Sequence, residues 1–234
     1  TLRGVDIDDT AAGSTVRIDR NTVVFGTDAD GTTANGFDIV DVNNSSAAVL
    51  EVTNNLVYRE DGNDAYFAGI ETNLTSTTER HDILMANNTF VSLDSSGTAP
   101  GFTGIVLNAG SGSEIVNNIM KAGAEDSANS VGVYVNSSSG DLPARVESNY
   151  IDASFLFSNA STISDVNDAT LVTHDSNSDG DGDGIANGNV TGLTTAFADS
   201  VSGDFGLTAS SAGALRIGGA DLSVLFDSDI EGVT

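Results

Sequence analysis

The chain has no cysteine and no tryptophan, only two prolines, and eight Lys and Arg against 34 Asp and Glu. Without cysteine, disulfides contribute nothing and the redox compartment cannot be read from them. A formal charge of −26 over 234 residues excludes nucleic-acid surfaces, which need clustered Lys and Arg to neutralise phosphates. It also argues against anionic membrane surfaces. It suits a solvated protein in salty or calcium-rich surroundings, where counterions screen self-repulsion. No apolar run approaches the ~18 residues of a membrane-spanning helix, and no segment shows a convincing 3.6-residue apolar stripe. What the chain does have is length enough to bury a full core as one elongated domain.

It also has a repeat. Gly4, Gly36, Gly69, Gly104 and Gly132 are each followed by an apolar residue, and 14 to 19 residues later by Asn21, Asn55, Asn88, Asn118 and Asn149. Successive glycines lie 32, 33, 35 and 28 residues apart, and successive asparagines 34, 33, 30 and 31 apart. After each Gly the sequence alternates with period two, as in Gly36-Phe37-Asp38-Ile39 and Gly104-Ile105-Val106-Leu107, the pattern of a strand with one buried face. Before each Asn lies a second apolar strand, such as Leu50-Glu51-Val52, and beyond it a further apolar residue: Val23, Val57, Phe90, Met120 or Ile151.

Strands that recur every ~30 residues without intervening helices wind as coils, each stacking in parallel on its counterpart about 4.8 Å away. The expected fold is all-β: a right-handed parallel β-helix of about five to six coils, spanning residues 1–174. The repeated Asn is expected at a turn, in the left-handed conformation, with its amides bonded along the column. A sixth, degenerate coil is read around Phe155–Val172, and residues 190–234 as a C-terminal cap or further short strands of the same domain. Gly-, Ser-, Asp- and Thr-rich inserts such as Thr27–Asn35, Arg59–Asn63, Leu93–Gly101 and Lys121–Ser130 read as surface loops on one side. Because Thr1 leads almost directly into a strand, the reading is a segment of a longer protein, with stacking on another copy as the alternative.

Winding brings distant residues together. Asp6, Asp38 and Glu71 take the same outward position on successive coils, continued by Val106 and Tyr134. Stacked carboxylates repel unless one is protonated or a cation lies between them. The column reads as a solvated face, as a cation or glycan contact, or as the paired carboxylates of a glycosidase, with Asp6, Asp38 and Glu71 the catalytic candidates. Asn73, Asn108 and Asn136 share the next position, as strand ends or a polar ladder. Arg17, Glu51, Leu84, Glu114 and Arg145 interleave charges that support register. A lyase would need a base or cation from Arg80, His81 or Lys121. Tyr58, Tyr66, Phe67, Tyr134, Tyr150 and Phe155 are the aromatics available to sugar rings, against which the lack of Trp counts. No nucleophile motif, phosphate loop or zinc spacing is present.

Residues 175–189 form an Asp/Gly-rich loop in which Asp175, Asn177, Asp179, Asp181, Asp183 and Asn187 alternate as oxygen donors. This is a candidate Ca²⁺ site. Counted from Asp179, the twelfth position is Val190 and not a bidentate Glu, so it is not a complete EF-hand loop; a solvated acidic linker is the alternative.

The coil pattern over residues 1–152 resembles the parallel β-helix repeat of pectin- and alginate-degrading enzymes, phage tailspikes and bacterial surface proteins. Gly188-Asn189-Val190, Ala196-Phe197-Ala198-Asp199 and Asp204-Phe205-Gly206-Leu207-Thr208-Ala209-Ser210-Ser211, with Asp227-Ser228-Asp229-Ile230-Glu231-Gly232, resemble the end of bacterial choice-of-anchor β-helix surface proteins. There a Pro and an Asp usually follow the Ser, where this chain has Ala212 and Arg216. The resemblance implies a secreted or surface-displayed bacterial protein and transfers no catalytic residue. The expectation is a structural or adhesion module, glycan-facing and calcium-stabilised, partnered by polysaccharide or by neighbouring copies or domains, with no nucleic acid and no membrane insertion. The alternatives are a polysaccharide lyase or glycoside hydrolase acting along the stacked strands, and a self-assembling filament subunit.

Overall fold

Strands in this chain recur in threes. In the computed structural model the cycle opens with β1 (Leu2–Asp8), β2 (Thr15–Asp19) and β3 (Thr22–Phe25), followed by β4 (Thr33–Val40), β5 (Val49–Thr53) and β6 (Leu56–Arg59). It repeats as β7 (Tyr66–Asn73), β8 (Asp82–Ala86) and β9 (Thr89–Ser92), then β10 (Phe102–Asn108), β11 (Glu114–Val116) and β12 (Ile119–Lys121), then β13 (Val131–Val135), β14 (Arg145–Glu147) and β15 (Tyr150–Asp152). The closing strands are β16 (Phe155–Asn159), β17 (Thr162–Ser164), β18 (Ile185–Asn187), β19 (Phe197–Asp199) and β20 (Asp204–Leu207). The structure describes residues 2–8, 14–26, 33–40, 49–61, 66–73, 82–93, 101–108, 113–123, 130–135, 143–153, 155–159, 162–164, 185–191, 197–200 and 204–210, and among them there is no α-helix.

Like strands stack on like. The first sheet runs β1-β4-β7-β10-β13-β16, the second β2-β5-β8-β11-β14-β18 and the third β3-β6-β9-β12-β15, every one of these pairings being parallel. The chain is all-β, with parallel sheets stacked in strand order as a solenoid. The alternation read from the sequence sends Phe37, Ile70, Ile105 and Val133 inward, where they meet Leu50, Ile83 and Ile115 from the second sheet and Val57, Phe90, Met120 and Ile151 from the third. Phe67 stacks on Phe102 at 5.4 Å and meets Phe25 edge-on at 6.2 Å.

Packing explains the repeated glycine. A Cβ placed on Gly104 would lie 2.6 Å from Met120 Sδ and 2.7 Å from the Gly132 carbonyl oxygen. The first strand passes so close to the inward residue of the third sheet that any side chain must push one of them away.

The repeated asparagine has a different cause. Between second and third strands the backbone turns a corner from one sheet to the next through one residue at positive φ: Arg20 (57°), Asn54 (56°), Asn87 (57°), Asn117 (56°) and Ser148 (55°), with Gly188 (63°) at the same place after β18. This corrects the expectation that the repeated Asn itself takes the left-handed conformation; the residue before it does. The repeated Asn instead turns its amide inward. Asn55 Nδ2 donates to Asn88 Oδ1 at 3.0 Å, Asn88 to Asn118 at 3.0 Å and Asn118 to Asn149 at 2.9 Å. Each oxygen also accepts the backbone N–H of the preceding ladder residue, as Asn88 Oδ1 does from Asn55 at 3.0 Å. Each Nδ2 donates a second bond to a carbonyl one rung back, as Asn88 does to Val52 at 2.8 Å. Thus every amide hydrogen and both acceptor sites of these buried groups are used.

The ladder extends past the repeat seen in the sequence. Asn149 Nδ2 donates to Asn189 Oδ1 at 2.9 Å, and Val190 bridges to Tyr150. The loop expected over residues 175–189 therefore ends in solenoid backbone, since β18 continues the second sheet on β14.

The two ends differ. β17 pairs antiparallel with β16 and closes the first sheet. The described part of the C-terminal stretch does not cover this end. The β19–β20 hairpin lies along the flank, where Phe205 packs on Tyr58 at 4.8 Å and on Phe197 at 5.1 Å, over Leu56, Val91 and Leu93.

Asn88→Ala orphans the Asn55 donors and the Val52 carbonyl in a dry interior, at about 1–3 kcal/mol per group. Urea unfolding is expected to show a loss of roughly 3–5 kcal/mol, against about 1 kcal/mol or less for Asn21→Ala at the exposed end of the same ladder.

Candidate functional site

One register row of the first sheet carries the carboxylate positions. The register pairs Asp6 with Asp38, Asp38 with Glu71, Glu71 with Val106, Val106 with Tyr134 and Tyr134 with Ser158. The three sequence-derived carboxylate positions therefore occupy neighbouring rungs, about 4.8 Å apart along the backbone. Asp6 is exposed and ion-paired with Arg3 at 2.7 Å, an arrangement worth little in water. Glu71, half-buried, accepts from Asn35 Nδ2 at 2.6 Å. The two carboxylates whose side chains are described are thus each held by a partner of their own.

Around Glu71 the surface becomes polar-aromatic. The Tyr66 hydroxyl and Thr103 Oγ1 lie 2.5 Å apart, and Glu71 and Tyr134 are each close enough to act on Tyr66 electrostatically. Asn35 is 2% exposed, yet its Oδ1 has no hydrogen-bond partner. Burial pushes the Tyr66 phenol above its ordinary value of 10.0; the Thr103 hydrogen bond pulls it back, while Glu71 and Tyr134 add to the rise. Sequence reasoning named Tyr66, Glu71 and Tyr134 but missed Asn35 and Thr103. Their column reads Arg3, Asn35, Ala68, Thr103 and Val131, with no recurring residue type to mark it.

The other candidates lie elsewhere. Lys121 pairs with Asp152 at 2.8 Å on the third sheet, so it faces away from the carboxylate row. Phe67 is core and Tyr150 is buried, while Tyr58 is covered by Phe205. Asn73 pairs with Asn108. The charged row of the second sheet is cross-rung support, with Arg17 3.2 Å from Glu51 and Arg145 3.4 Å from Glu114; Arg145 also pairs with Glu147. Asn136, Arg80, His81, Asp175, Asn177, Asp179, Asp181 and Asp183 lie outside the described residues. Asn187, the remaining loop residue, has its backbone in β18 opposite Glu147. Among the described residues no group of three or more His, Cys, Asp and Glu is arranged to hold a metal, and no helix is long and apolar enough to cross a membrane.

No protein-family model matches the chain, and neither does any curated protein or solved structure.

The raised Tyr66 value has a pH consequence. The unfolded phenol ionises near 10.0 while the folded one resists, so its stabilising contribution is complete below that pH and is lost as pH rises through the folded value. Tyr58 is pushed the same way, by burial and then by Glu60, so phenolate absorbance should show both tyrosines titrating late, and Tyr66→Phe should remove one of the two late components together with part of the alkaline loss of stability.

Proposed function

We propose that the chain is a structural and adhesion module of a secreted or surface-displayed bacterial protein, a right-handed parallel β-helix of about five to six coils. It presents the outer face of its first sheet to polysaccharide. The observation that carries this reading is the hydrogen-bonded amide ladder running from Asn21 to Asn189. A ladder with its donors and acceptors saturated makes a stiff rod of fixed register, the property a spacer or display element needs. The resemblance of residues 188–232 to choice-of-anchor surface proteins agrees with it.

The face around Glu71 suits sugar hydroxyls: the half-buried Glu71 carboxylate and the Tyr66 and Tyr134 rings offer hydrogen bonding and stacking, while the buried Asn35 and Thr103 hold Glu71 and Tyr66 in place from beneath. A chain carrying −26 repels polyuronates, so neutral glycans are the favoured class. Ca²⁺ bound by Asp175, Asn177, Asp179, Asp181, Asp183 and Asn187 would stiffen the acidic loop. The second reading, a polysaccharide lyase or glycoside hydrolase, is favoured by the placing of Asp6, Asp38 and Glu71 on neighbouring rungs, since glycosidases work with a pair of carboxyl groups.

Native electrophoresis through gels containing neutral or uronic polysaccharides separates the two. The expected outcome is retardation by a neutral glycan, weakened by Tyr134→Ala, with no reducing ends or unsaturated uronates released. Release that Asp38→Asn abolishes would establish the enzymatic reading instead. For calcium, chelation is expected to lower the thermal midpoint, restored by Ca²⁺ and not by Mg²⁺; an unchanged midpoint removes the ion from the proposal.

A further inference from the structure

The tripeptide Ala-Asn-Gly occurs twice in the chain, as Ala34-Asn35-Gly36 and as Ala186-Asn187-Gly188. Asn before Gly is chemically labile, because the glycine has no side chain to shield its nitrogen from the neighbouring side-chain amide carbon. Both copies carry the same residue ahead of the Asn, so a large difference in their chemistry has to come from the fold.

The first copy is locked. β4 is hydrogen-bonded to a strand on each side, β1 and β7. Asn35 is buried and its Nδ2 is tied to Glu71. A Cβ placed on Gly36 would lie 2.5 Å from both the Gly69 carbonyl oxygen and Val57 Cγ1, so the peptide unit has no room to swing. To react, the Gly36 nitrogen must rotate onto Asn35 Cγ, which breaks the sheet on both sides.

The second copy is placed differently. β18 pairs with β14 and is the outermost strand of the second sheet among the described residues. Gly188 is exposed and has φ at 63°. Residues at this corner on earlier rungs give their N–H to a carbonyl of the next rung: Arg20 to Thr53 at 3.3 Å, and Asn54 to Ala86, Asn87 to Val116 and Asn117 to Glu147 at 3.1 Å. The Gly188 nitrogen has no such acceptor among the described residues. Rotation of this peptide disturbs one sheet edge instead of two.

The last rung depends on the backbone that follows. Asn189 Oδ1 accepts from the Asn149 backbone N and Nδ2 at 3.0 and 2.9 Å, and Asn189 Nδ2 donates to the Val146 carbonyl at 2.7 Å. The Val190 carbonyl accepts from the Ile151 N–H at 3.0 Å.

We propose that Asn187-Gly188 is a self-modification site through which the last turn of the solenoid loosens with age. The Gly188 nitrogen, its proton taken by hydroxide, attacks Asn187 Cγ. A new C–N bond closes a succinimide ring, the bond from Cγ to the side-chain nitrogen breaks, and the leaving group departs as ammonia after taking a proton from water. Water then opens the ring. Attack at the side-chain carbonyl gives aspartate, and attack at the main-chain carbonyl gives isoaspartate. Isoaspartate carries a methylene of the former side chain in the main chain, which moves Asn189 off Asn149. Either product adds a carboxylate at the register position of Glu147, where like charges repel.

The test incubates the folded full chain in warm, mildly alkaline buffer with chelator and maps both tripeptides by mass spectrometry and isoaspartate detection. Modification at residue 187 is expected roughly tenfold or more faster than at residue 35, with the two rates similar in concentrated urea. The isolated isoaspartyl form should exchange the Asn149 and Ile151 amide hydrogens faster, while those of Asn55 and Asn88 stay unchanged. Asn187→Ser aged alongside should show no such change. Equal rates in the folded chain, or a ratio that urea leaves intact, overturn the fold as the selector. Unaltered exchange at Asn149 and Ile151 in the isoaspartyl form overturns the loosening of the last turn. The chelator keeps calcium out of the outcome and no readout involves a glycan, so the result stands apart from the assays above.

Discussion

The buried amide ladder is the constraint on which the other features depend. An Asn side chain inside a protein is costly unless its donors and acceptor are all met. Here they are met only when each turn carries its asparagine directly over the last. A slip of one residue would send the amide to the surface and an apolar residue to the turn, leaving the rungs above and below with orphaned groups. The register of one turn thereby fixes the neighbouring strands on both sides. The row of Asp6, Asp38 and Glu71 on the first sheet is a downstream effect of amides on the far side of the core.

Charge does not hold the solenoid together. The cross-rung pairs Arg17–Glu51, Lys121–Asp152 and Arg145–Glu114 are all substantially exposed, and exposed pairs contribute at most about 1 kcal/mol each. Their value is local: each places a cation against acid on an adjoining rung, where stacked carboxylates would otherwise repel. Arg59 is a different case. It is fully buried and donates from Nε and Nη2 to Ser92 Oγ at 3.2 and 2.7 Å, reproducing on the third sheet the rung-to-rung bonding that the asparagines provide at the turn.

Much of this was legible because a solenoid writes its contacts as periodicity. The glycine marks close approach to the third sheet, the apolar alternation marks the buried face, and the asparagine marks the ladder, so the register of Asp6 with Asp38 and Glu71 followed from counting. What was not legible lacks a period. Asn189 lies 40 residues beyond Asn149, outside the spacing of the other rungs, although Gly188-Asn189 repeats the turn doublet of Asn87-Asn88 and Asn117-Asn118. Asn35 and Thr103 belong to a row of unlike residues. The left-handed position was assigned one residue late, because both members of an Asn-Asn doublet suit it and only the ladder geometry separates them. Phe197 and Phe205 fall in the stretch read as a cap or further short strands, and nothing in a local pattern specifies which flank a hairpin will cover.

That hairpin changes how the molecule comes apart. In a pure stack, each turn touches only the next, and unravelling proceeds from an end one layer at a time. By laying Phe205 on Tyr58, the β19–β20 hairpin is clamped to a strand many turns earlier in the sequence. The clamp exchanges independence of the layers for long-range cooperativity. Peeling from the far end meets resistance in the middle of the rod.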